Sequence, residues 1–182
     1  MPTTVQRGFC SAIANAKDPV PDPTKMDRYG DEQLFALARY LYSLKPPANP
    51  HRMDAVAERG RRVFAREGCN DCHTPPLYTS NQLTPVDGFT IPADRRTSDE
   101  IIGRSVGTDP ELALRTRKGT GYYKVPSLKG VWYRGPFQHA GAVTTLEEWF
   151  DPARLGRVPG HPFGLKLSPD DRRGLIAFLE TL

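Results

Sequence analysis

Long apolar runs are absent from this 182-residue chain. Nothing in it approaches the roughly 20 residues that a membrane-crossing helix needs, so no membrane span is expected. An excess of one charge is absent as well. Lys and Arg number 25 against 21 Asp and Glu, a net charge of +4, which is too small and too dispersed for the basic stripe that nucleic-acid binding needs. Cysteine is scarce: three residues exclude a fully paired disulfide framework. Histidine is limited to four, so His51, His73, His139 and His161 are the whole supply of imidazole. The stretch Met1 to Ala16 lacks the basic start, apolar core and small-residue cleavage site of a secretory signal. Proline and glycine, by contrast, are plentiful at 18 and 16, which predicts short helices joined by long ordered loops.

Helical periodicity marks four segments. Leu34, Leu37, Ala38 and Leu41 recur at helical spacing from about Asp31 to Leu44, and Lys45-Pro46-Pro47 stops the turn. A second helix, about Asp54 to Glu67, places Val56, Gly60, Val63 and Phe64 on one face. A short one, about Thr145 to Phe150, carries Leu146, Trp149 and Phe150. The last has Ser168 as its cap, Pro169 at its first position, Asp170 and Asp171 at its positive end, and Leu175, Ile176, Phe178, Leu179 and Leu182 as its apolar stripe. Between these lie loops, Thr74 to Ser98 and Arg115 to Gly141, of a length that is usually functional in a compact domain. Wrapping a flat cofactor is one use that explains them.

The second helix runs directly into Cys69-Asn70-Asp71-Cys72-His73. This C-x-x-C-H pattern is a haem attachment signature: two thiols about one turn apart add across the two vinyl groups of one haem, and the next residue offers its imidazole to the iron. Two other chemistries use C-x-x-C. A zinc site needs four ligands, and the remaining candidates Cys10, His51, His139 and His161 are single and scattered. A thioredoxin-like pair needs a βαβ context that is missing here.

From about His51 to Leu182 the chain resembles a cytochrome c domain. Gly60-x-x-x-Phe64-x-x-x-x-Cys69 looks like that family's first helix, whose glycine lets the last helix cross at close range, here near Phe178 and Leu179. Lys124-Val125-Pro126-Ser127-Leu128-Lys129-Gly130, then Gly135-Pro136-Phe137-Gln138-His139-Ala140-Gly141, then Thr145-Leu146-Glu147-Glu148, resemble the C-terminal haem domain of the bacterial di-haem cytochrome c peroxidase and MauG family. The resemblance implies an all-α fold, a class I cytochrome c-like helical domain with long haem-wrapping loops over residues 51–182. Residues 1–50 are then a remnant of a preceding cytochrome-like domain plus linker. Without a signal, the chain resembles the C-terminal portion of a longer exported, periplasmic protein or a truncated form of one. Family members carry two C-x-x-C-H motifs and this chain carries one. Ala140 and Arg134 stand where the family has Asp or Ser and a calcium-associated Thr, which departs from its calcium-binding pattern.

The expected cofactor is one covalent haem c held by Cys69, Cys72 and His73. His139 and Trp132 are pocket candidates, although His139 reads equally well as a loop histidine bonded to backbone, and Trp132, Tyr122, Tyr123 and Trp149 as core. For the second axial position Met1, Met26 and Met53 all precede the motif, so methionine is set aside. His161, in the turn-rich Gly160-His161-Pro162-Phe163-Gly164, ranks first as metal ligand beside His73, followed by water, His139 and tyrosine. The expected function is electron transfer to or from a small redox protein or an upstream haem domain, and the chain alone is not expected to be an enzyme. Two alternatives remain open: the electron-entry domain of a larger cytochrome c peroxidase-like oxidoreductase, and a zinc-stabilised interaction module.

Overall fold

A computed structural model describes residues 29–116 and 119–182; Cys10, Met26 and most of the expected 1–50 remnant lie outside the described residues. In chain order the elements are α1 (Asp31–Ser43), α2 (Ala55–Arg66), a 3-10 turn (Cys69–Asp71), β1 (Leu83–Pro85), a second 3-10 turn (Ala93–Arg95), α3 (Glu111–Arg115), β2 (Tyr122–Lys124), α4 (Leu146–Trp149), a third 3-10 turn (Pro152–Gly156) and α5 (Pro169–Glu180). The chain divides into two units, 1–48 with 111–120, and 49–110 with 121–182.

In the first unit α1 forms as its periodicity predicts. The Gln33 side chain reaches back to accept from the Gly30 backbone N–H at 2.9 Å, and none of the residues of α1 is buried.

The second unit is built on α2 and α5. Asp54 starts α2 by accepting from the backbone N–H groups of Val56 and Ala57 at 2.9 and 2.8 Å, which satisfies donors that have no partner inside the helix. Ser168 does the same for α5 through Asp171 N–H at 3.2 Å, with Pro169 at the first position. The buried face of α2 is Ala57, Gly60, Val63 and Phe64. Val56, expected on that face, remains 39% exposed, and Ala57 takes its place. These residues meet Leu175, Ile176, Phe178 and Leu179 of α5, with Leu146, Phe150, Val131 and Leu167 closing one hydrophobic core.

The helices cross backbone to backbone. A Cβ on Gly60 would lie 1.8 Å from the Gly174 carbonyl oxygen and 2.8 Å from Phe178 Cβ. The expected crossing near Phe178 therefore involves a second glycine, Gly174, that periodicity did not single out. Phe64 packs edge-on against Phe178 at 5.3 Å between ring centres, and Arg59 and Arg66 on α2 both bond the Asp171 carboxylate on α5 at the surface.

The all-α expectation requires one correction. β1 and β2 pair antiparallel, with Leu83 opposite Lys124, Thr84 opposite Tyr123 and Pro85 opposite Tyr122. Thr84, Pro85 and Val86 are buried, and a buried backbone must bond its N–H and C=O groups to something. A strand pair carrying Thr84, Tyr122 and Tyr123 is the local solution. Among the described residues no helix is long and apolar enough to cross a membrane.

Candidate functional site

The end of α2 presents the C-x-x-C-H motif. Gly68 follows the helix in the left-handed region at φ 72°, a conformation that glycine adopts without a Cβ penalty, and the chain turns there into the 3-10 segment of Cys69–Asp71. His73 N–H closes that turn on Cys69 C=O at 2.8 Å. The two thiols and the imidazole thus leave a single turn from one rigid helix.

Both cysteines are free thiols and only half-buried. Burial pushes the Cys69 thiol up to about 11, and burial raises Cys72 as well. A reactive C-x-x-C redox pair has its thiol lowered, so the electrostatics run against that chemistry. The ring of His73 is oriented by its Nδ1–H, which donates to Tyr78 C=O at 3.1 Å. Such a bond fixes the tautomer and leaves Nε2 as a free donor to a metal. Burial lowers His73 below its ordinary value, which keeps the imidazole neutral near pH 7.

Facing it is His161. The two ring centres lie 6.5 Å apart, although they are 88 positions apart in sequence. Burial pushes His161 down to about 4, and its Nδ1 is buried without a hydrogen-bond partner. An orphaned buried nitrogen is costly unless something absent from the chain satisfies it. A separation of this size would leave room for one metal ion between two imidazole nitrogens. Trp149 lies 5.1 Å and Phe163 5.2 Å from the His161 ring, giving the site an aromatic wall; Arg104 stacks on Phe163 at 5.6 Å.

Among the described residues no three His, Cys, Asp or Glu side chains converge to hold a metal ion by themselves, and a tetrahedral zinc site needs four ligands. A porphyrin would bring four nitrogens of its own, and His73 and His161 are the imidazoles that would complete the set. On these observations the residues present fit a haem.

The arm that carries His161 is built between α4 and α5. Thr145 caps α4 by accepting from Glu148 N–H at 3.1 Å. The Glu148 carboxylate accepts from the Thr144 backbone N–H at 2.7 Å, from the Thr144 hydroxyl at 2.9 Å and from the Arg157 guanidinium. These bonds, the backbone one foremost, hold its carboxyl down at about 2. A carboxylate whose pKa falls on folding stabilises the fold above its unfolded value of 4.5, and that contribution is lost as pH falls toward 2. Urea melts of the wild type and Glu148→Gln should therefore differ by a constant amount above about pH 5 and converge between 4.5 and 2; a gap independent of pH would show that the carboxylate charge is not what binds the arm. Further along, Gly160 abuts Gly107, where a Cβ would meet the Gly107 carbonyl at 2.4 Å, and His161 N–H donates to Val106 C=O at 2.6 Å.

The other sequence candidates have surroundings of their own. His139 is at the surface, bonded through Nε2 to Thr108 Oγ1 at 3.1 Å and stacked on Tyr123 with ring centres 3.5 Å apart. Trp132 packs against His51 at 5.9 Å and Tyr133 at 4.8 Å and lines a cavity of about 180 Å³ with Val131, Phe137 and Leu146. Tyr122 meets Phe89 edge-on at 4.9 Å. Trp149, weighed only as one aromatic among several, is beside His161. Arg154, whose guanidinium lies 4.9 Å above the Trp149 ring, was not anticipated; an arginine in a Pro-Ala-Arg-Leu-Gly turn carries no signal of burial.

No family model matches the chain. It is similar over about 70% of its length to proteins named for cytochrome c peroxidase and MauG, as the motifs implied. Cytochrome-c peroxidase IdrP1 of Denitromonas iodatirespirans is 29% identical over 153 residues, covering 71% of this chain and 41% of that protein. Methylamine utilization protein MauG of Methylorubrum extorquens is 31% identical over 135 residues, covering 70% and 35%. Cytochrome c551 peroxidase of Pseudomonas aeruginosa is 24% identical over 161 residues, covering 84% and 43%. The chain spans about two fifths of the length of these relatives.

Proposed function

We propose that this chain holds one covalent haem c and works in electron transfer, with Cys69 and Cys72 as the attachment points and His73 and His161 as the axial ligands. The observation that carries this reading is the pair of imidazole rings with centres 6.5 Å apart, one of them following two free thiols in sequence. When bound, the haem supplies a reversible one-electron couple at iron. The chain's own residues do the rest. Tyr78 C=O aims His73 through Nδ1–H, Trp149 and Phe163 pack beside His161, and the turn that follows α2 carries both thiols. The residues 51–182 form the haem-wrapping, class I cytochrome c-like domain of this proposal, and 1–50 the remnant of a preceding domain.

A second reading, the electron-entry part of a larger peroxidase-like oxidoreductase, is favoured by one fact: the named relatives are more than twice as long as the matched region. In either case the setting is periplasmic, the electron partner is a small redox protein or an upstream haem domain, and calcium is not required by the residues at Arg134 and Ala140.

The test is the ferric spectrum. Wild-type protein matured with haem should be low spin, without the absorption band of a thioether–iron bond, and His161→Ala should turn it high spin. An unchanged low-spin spectrum in His161→Ala removes His161 as ligand and transfers the question to His139 and the tyrosines.

A further inference from the structure

The side chain of Arg154 is 2% exposed, and among the described residues no carboxylate pairs with it. A buried cation without a counter-ion needs acceptors for its N–H groups, and four of the five on Arg154 have one. Here Nε donates to Trp149 C=O at 3.0 Å, Nη1 to Val158 C=O at 2.9 Å and Gly160 C=O at 3.1 Å, and Nη2 to His161 C=O at 3.1 Å. The four acceptors run from the end of α4 to His161 itself, so one planar fork closes the whole arm onto its base. His161 sits at φ 47°, a region that a residue with a Cβ occupies only when its surroundings over-determine it. The Arg154 bond to the His161 carbonyl and the Val106 bond to its N–H are two such determinants, fixing the peptide groups on either side of its Cα. Lysine, a point charge with three donors and no fixed fork, cannot repeat the pattern.

We propose that Arg154 is the positioning residue for His161, keeping its imidazole aimed at the partner ring of His73; this rests on the reading of His161 as an axial ligand. Mature haem-bound Arg154→Gln and Arg154→Lys are to be compared with His161→Ala by ferric absorption spectra during titration with free imidazole. The expected result is a mixed or high-spin spectrum in both Arg154 variants, stronger in Gln, that returns to low spin with imidazole, and at least a tenfold gain in imidazole affinity over wild type. Low-spin spectra with wild-type imidazole affinity in both variants, alongside a high-spin His161→Ala, overturn the positioning role alone. A low-spin His161→Ala overturns the ligand reading and this inference together. If neither Arg154 variant yields folded protein, proton exchange at the Arg154 guanidinium in the reduced wild type decides: slow exchange supports the lock, and exchange at the rate of a surface arginine overturns it.

Discussion

Replacing Cys69 and Cys72 together by alanine is expected to abolish haem retention on denaturation, from one haem per chain to none. The two thiols are free and leave one turn of chain at the foot of α2, and among the described residues no other cysteine exists to take their place. Cys69→Ala or Cys72→Ala alone should each leave one thioether and a covalently retained cofactor with an altered pyridine spectrum. A haem-stained denaturing gel of protein exported with a periplasmic signal reads the result directly. Haem that stays on the double variant through denaturation would sink the assignment of these two residues.

The second large effect concerns the helix crossing. Gly60→Ala should cost at least about 3 kcal/mol, the upper end of ordinary overpacking, because the new methyl carbon would lie 1.8 Å from the Gly174 carbonyl oxygen and 2.3 Å from its carbon. Both obstacles are backbone, so no rotamer change relieves them, and α2 must move off α5. The reciprocal change is milder. A Cβ on Gly174 comes no closer than 3.2 Å, to Gly60 N, and alanine is the better helix former by about 1 kcal/mol. Gly174→Ala is therefore expected to stay within about 1 kcal/mol of wild type. Urea denaturation of the two variants side by side checks the asymmetry. Equal losses would mean that the helices part as easily from either side.

How far the sequence could be read follows from the range of each interaction. Helix starts were legible to within a residue or two: Ser168, read as a cap, accepts a backbone N–H, and so do Asp54 and Thr145, read as the first residues of their helices, because a cap acts over only three residues. The C-x-x-C-H turn was legible for the same reason. The strand pairing of Leu83–Pro85 with Tyr122–Lys124 was not, since it joins segments 39 residues apart at Thr84 and Tyr123 and each is too short to show alternation. Gly174 was missed as the partner of Gly60 because a glycine in a helix shows its purpose only when the opposing backbone is seen. His161 could be ranked first from its turn-rich loop and from the lack of a later methionine, yet His139 and Trp132 had comparable local credentials. What separates them is packing: His139 spends its ring on Tyr123 and Thr108, and Trp132 on His51 and Tyr133.

The Cys69 thiol described above also sets an order of events. Its rise from 9 to about 11 on burial cuts the thiolate fraction about a hundredfold at neutral pH, and the thiolate is the form that attacks. In the unfolded chain the same sulfur has no core beside it and keeps its ordinary reactivity. An electrophile that needs the Cys69 thiolate is therefore expected to add faster before α2 docks on α5 than after it.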